Sequence, residues 1–106
     1  MLLFKKRFLP AIRSGEKTQT IRLWKHRKMR PGQRSYIPGV GYIRITAVDE
    51  VRLDALTDDD ARPDGFETAE QLRTEIARLY TEQLDAGHKA FRIEFHVLPS
   101  GEKGEV

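Results

Sequence analysis

Cysteine and asparagine are both missing from this chain of 106 residues. Without cysteine there are no disulfides and no thiolate metal sites. The lack of asparagine fits a GC-rich genome or a warm habitat and does not bear on function. Histidine is scarce. His26, His88 and His96 are widely separated, so neither a transition-metal site nor a histidine-pair ribonuclease is expected. No apolar run is long enough to span a membrane. The opening Met1-Leu2-Leu3-Phe4-Lys5-Lys6-Arg7 lacks a small-residue cleavage site and does not read as a signal peptide. The length suits one domain with a modest core, and the chain reads as soluble and cytoplasmic.

Charge is present, but unevenly. Residues 1–44 carry twelve Lys/Arg against one acid, Glu16, while the rest of the chain carries seven against fifteen. The formal net charge is only +3. A basic half this dense points to an anionic partner, phosphate being the commonest. The competing reading is that the two halves neutralise each other within the fold.

Hydrophobic spacing sets the elements. Phe4, Phe8, Ala11 and Ile12 share one helical face, and Pro10 is tolerated in a first turn, so a short helix is expected over 7–14 with Gly15 as C-cap. Thr18–Trp24 is rich in β-branched and aromatic types and reads as a strand. Lys25–Arg34 is a basic loop with a Pro31-Gly32 turn. Residues 35–37 and 42–48 read as a strand pair, with Ile43, Ile45 and Ala47 on one face and a possible extension over Val51–Leu53. Thr57 and Asp60 form a capping box, with Leu56 and Ala61 as its staple, and Thr68 with Gln71 a second. The second opens a helix bearing Ala69, Leu72, Ile76, Leu79 and Tyr80. Phe91, Ile93, Phe95 and Val97 alternate in a final strand, residues 90–98. The order excludes a doubly wound parallel sheet and favours a small α+β domain on a mixed or barrel-like sheet. Residues 1–98 would be one domain and 99–106 a flexible tail.

The stretch Gly15-Glu16-Lys17-Thr18-Gln19-Thr20-Ile21-Arg22 follows the short helix directly. It resembles the signature of the ASCH domain family, PUA-like proteins whose pattern is an aromatic-containing helix followed by Gly-x-Lys-Thr-x-Thr-x-Arg. A Pro-Gly turn (Arg30–Gln33), a strand pair, a Leu-Thr segment (Leu56-Thr57), an acid (Asp64), a helix and a last strand follow in the family's order. The resemblance covers about residues 4–98. It implies a small PUA-like β-barrel with two or three flanking helices. In length and segment order the chain resembles the bacterial N4-acetylcytidine amidohydrolases. That resemblance implies a catalytic trio of Lys17, Thr20 and Asp64, no metal and no organic cofactor. The family acid is glutamate. Here it is Asp64, one methylene shorter, with Glu67 as the alternative.

The residue types suit acyl transfer, which needs a nucleophile, a base and a stabiliser for the oxyanion. Thr20 supplies a hydroxyl. Lys17 acts as base only if burial or neighbouring positive charge depresses its pKa. Regular alternation puts Thr18, Thr20 and Arg22 on one strand face, so Lys17 must sit in the turn before it. Arg22, Trp24, Lys25, Arg27, Lys28, Arg30 and Arg34 are the candidate contacts to a modified nucleoside or RNA, with Trp24 either a stacking platform or a core residue. The function that the resemblance implies is hydrolysis of the acetamide of N4-acetylcytidine, with Thr20 as nucleophile and Lys17 as base. The alternative is a non-catalytic RNA- or nucleotide-binding module gripping phosphates with Lys25–Arg34. A ribonuclease ranks below both.

Overall fold

The computed structural model describes residues 1–99; the tail expected over 99–106 lies, except for Pro99, outside the described residues. Four strands form one antiparallel sheet in the order β1-β4-β3-β2. They are β1 (Gln19–Trp24), β2 (Arg34–Ile37), β3 (Gly41–Val51) and β4 (Lys89–Val97). The sheet curls into a half-barrel, and the helices α1 (Leu9–Ser14), α2 (Asp58–Ala61), α3 (Ala69–Leu79) and α4 (Thr81–Asp85) flank it. The architecture is α+β, as expected. No helix among the described residues is long and apolar enough to cross a membrane.

Each face of the sheet carries its own core. The alternation of β4 turns Phe91, Ile93 and Phe95 to one face, against Ile12, Ile37, Ile43 and Ile45. On the other face Ile21, Leu23 and Ala90 pack against Leu56, Ala61, Ala69, Leu72 and Ile76. Thr57 and Asp60 make the reciprocal capping box that the sequence suggests.

Three local features differ from the sequence reading. A bulge in β3 between Ile45 and Ala47 shifts the register, so Val48 rather than Ala47 continues the buried face. Thr68 caps α3 by accepting from the Gln71 N–H, but the Gln71 side chain accepts from the Glu67 N–H instead of returning to Thr68. Residues 81–85, to which the sequence pattern assigns no element, form α4.

Candidate functional site

Two glycines in the left-handed region frame the site. Gly15 (φ 85°) caps α1 and turns the chain so that Lys17 precedes regular strand. Gly65 (φ 96°) ends the short 3-10 turn Arg62–Asp64 that carries the acid. The Thr18 N–H donates to the Pro63 carbonyl at 2.8 Å, and the Lys17 N–H to the Ala11 carbonyl at 3.0 Å. These bonds clamp α1, the start of β1 and the acidic turn together.

A cavity of about 190 Å³ lies beside this clamp. Thr20, Arg22 and Ile21 all line it, although adjacent strand residues face opposite ways. It therefore follows the open edge of β1, which pairs only with β4. The β1–β4 register places the hydrogen-bonded pairs at Thr20 and Arg22. The backbone N–H and C=O of Ile21 accordingly point to the open edge. Phe4, Phe8 and Phe66 also line it, with Leu72 and Ile76 of α3 and Tyr80 at that helix's C-cap.

On the floor Lys17 and Asp64 form a buried ion pair. Lys17 Nζ donates to Asp64 Oδ1 at 2.7 Å and to the Asp64 backbone carbonyl at 2.5 Å. The two residues are 3% and 4% exposed. The Nζ also sits 5.1 Å from the Phe8 ring centroid. Burial pulls the Lys17 amine below its ordinary 10.5; the charge and hydrogen bond of Asp64 oppose this, and Arg22 adds to it. A neutral amine has two N–H bonds and one lone pair. Both N–H bonds are satisfied by Asp64, which leaves the lone pair available as a base.

Thr20 is 5% exposed, and its Oγ1 accepts from Arg22 Nε at 3.0 Å. Arg22 also donates from Nη2 to the Leu3 carbonyl at 2.8 Å and lies 4.7 Å from the Phe4 centroid. Burial lowers its pKa, with Tyr80 and Asp64 opposing. A guanidinium has five N–H donors, so several remain for a ligand beside the threonine oxygen.

The structure brings Lys17, Thr20, Arg22 and Asp64 to one cavity. Glu67 is exposed and does not line it. Trp24 packs at 5.5 Å from Phe91, outside the cavity. Lys25, Arg27, Lys28 and Arg30 lie on the β1–β2 connection and Arg34 opens β2; none of them lines it. Arg27 donates to the Val48 carbonyl, and Arg34 stacks 4.4 Å from the Tyr42 centroid. No group of three or more His, Cys, Asp or Glu among the described residues is arranged to hold a metal ion.

Sequence reasoning missed Gln19. Its buried amide Nε2 donates to Asp64 Oδ2 at 3.2 Å and to the Asp60 carbonyl at 2.9 Å. A polar residue between two β-branched ones in a strand was the available signal. Glu75 and Tyr80 were also missed as cavity residues, because the helical period marks a face and not the opening beside it.

No protein-family model matches the sequence, and no curated protein matches it either. Solved structures do. The chain is similar to the hypothetical protein PH0355 (16% identity, TM-score 0.75, covering 91% of this chain and 95% of that one). It is similar to protein EF3133 from Enterococcus faecalis V583 (21% identity, TM-score 0.72, 92% and 72% covered). It is also similar to an ASCH domain from Lactobacillus crispatus JV V101 (17% identity, TM-score 0.66, 84% and 69% covered). At these identities the likeness is one of fold, and the fold of this chain is that of an ASCH domain.

Proposed function

We propose that the chain is an ASCH-family amidohydrolase that removes the acetyl group of N4-acetylcytidine. The observation that carries this reading is the convergence of Lys17, Thr20 and Arg22 from the start of β1, and of Asp64 from a distant turn, on one largely apolar cavity. An apolar cavity with a few convergent polar groups and a perturbed lysine is what a base-reading hydrolase needs.

The base lies between the phenylalanines and α3, with its edge against the Ile21 backbone. The Thr20 oxygen attacks the acetyl carbonyl, and its proton passes to the Lys17 amine. Arg22 faces the oxygen that becomes negative. Collapse of the tetrahedral intermediate breaks the C–N bond, and the Lys17 ammonium returns its proton to the departing 4-amino group. Water then attacks the acetyl-threonine ester, again giving a proton to Lys17; the ester C–O bond breaks, the Lys17 ammonium returns that proton to the Thr20 oxygen, and the acetyl group leaves as acetic acid, which ionises in solvent. Asp64 holds the lysine in place throughout.

The test is cytidine release from N4-acetylcytidine by the protein and by its Thr20→Ala variant, with folding followed by circular dichroism. The parent releases cytidine, and the folded variant loses at least about a hundredfold in rate. A folded variant that retains the parent rate refutes the nucleophile. Release by neither protein favours the non-catalytic binding module.

A further inference from the structure

We propose that the ligand of this cavity is phosphorylated: a nucleotide whose base enters the cavity while its phosphate ester is held at the mouth by Lys5, Arg7 and Arg78. The inference rests on the reading that the cavity takes a nucleoside base.

Glu75 of α3 lines the cavity. Its carboxylate accepts from Arg7 at Oε2 and from Arg78 at Oε1 (2.8 Å) and Oε2 (2.9 Å). The Glu75 side chain is 13% exposed, whereas the arginines are 54% and 55% exposed. One nearly buried carboxylate thus holds two half-exposed guanidiniums in place. Burial pushes Glu75 up, but Arg78 and Arg7 together hold it below the ordinary carboxylate value, so the anchor stays charged. Each guanidinium uses one nitrogen here and keeps donors for a further acceptor. Lys5 lines the same cavity, is exposed, and makes no ion pair among the described residues.

Lys5 lines the cavity and Glu75 holds Arg7 and Arg78 beside it, so three cations and one carboxylate gather there. On the floor, Lys17 and Asp64 compensate each other. Arg7 lies 4.8 Å and Lys17 Nζ 5.1 Å from the centroid of the one Phe8 ring, which ties the surplus positive charge to the reacting groups. A neutral nucleoside makes no use of it, and a phosphate ester does.

The experiment titrates the intact protein, by NMR chemical shift into the millimolar range, with cytidine, cytidine 5′-monophosphate and the dinucleotide CpC. The titrations are repeated on Lys5→Gln/Arg78→Gln. The monophosphate is expected to bind about tenfold more tightly than cytidine, with the gap closing in high salt and in the double variant. A similar gap with CpC supports the phosphate site and assigns its source to an RNA chain. Its absence with CpC assigns the source to a free nucleotide. Equal affinities for cytidine and its monophosphate overturn the phosphate site but leave the base site standing. A gap that survives the double variant also overturns it. No binding of any of the three overturns both readings.

Discussion

Replacing Lys17 with methionine leaves a carboxylate in the floor of the cavity without its ammonium. The Lys17 and Asp64 side chains are 3% and 5% exposed, so the buried-pair case applies and not the weak surface one. Breaking a buried pair by removing one partner costs about 3–5 kcal/mol. That is a large part of the roughly 5–15 kcal/mol that holds a domain together. The two single variants should differ. Asp64→Leu leaves an amine whose pKa burial already lowers and which has lost the group opposing that shift, so it sheds its proton and escapes part of the penalty. Lys17→Met leaves the Asp64 carboxylate the Gln19 amide at 3.2 Å as its side-chain donor among the described residues, with the charge of Arg22 acting at longer range. The double variant Lys17→Met/Asp64→Leu removes both charges beside Phe8 and should lie between parental stability and about 4 kcal/mol above it. Urea unfolding of all four proteins closes a double-mutant cycle. Additive losses in the double variant would refute the reasoning, because they would mean the pair is not a coupled, desolvated unit.

Two further outcomes follow from the same geometry. Activity on N4-acetylcytidine should rise with pH through a Lys17 pKa below 10.5, since the neutral amine is the base; a rate that falls as pH rises through neutrality would refute that role. The sign for stability agrees: between the lowered folded value and the ordinary unfolded one, the unfolded chain binds more protons, so this contribution is present above 10.5 and lost as pH falls through that window. Trp24→Phe should leave cytidine affinity unchanged within about twofold, because Trp24 packs on Phe91 away from the cavity; a tenfold loss would make it a ligand contact.

Much of the fold could be read from local pattern. Phe91, Ile93 and Phe95 alternate because β4 divides two cores, and Thr57 with Asp60 caps α2 through neighbours in sequence. The bulge after Ile45 could not be read, since it depends on pairing with β4 and leaves no mark on β3 itself. The site followed the same rule. Lys17, Thr20 and Arg22 are neighbours in one octapeptide, whereas Asp64, 42 residues beyond Arg22, could be named only from the segment order of the resemblance. Glu75 and Tyr80 were hidden because long-range packing decides which part of an amphipathic helix faces an opening.

The shorter acid also has an explanation in the fold. The resemblance implies glutamate where this chain has Asp64, and one methylene would ordinarily leave a carboxylate short of its lysine. Here the turn itself comes to Lys17. The Thr18 N–H bond to Pro63 draws residues 62–64 against β1, so close that Lys17 Nζ reaches the Asp64 backbone carbonyl as well as its Oδ1. Gln19 then holds the other carboxylate oxygen from the opposite side, tied in turn to the Asp60 carbonyl. Backbone position supplies the reach that the side chain lacks, and a fully buried amide fixes the carboxylate that a longer chain would leave with one more rotor. The aspartate is thus matched to its surroundings by the Thr18 backbone bond to Pro63 and by Gln19, which occupies a variable position of the signature.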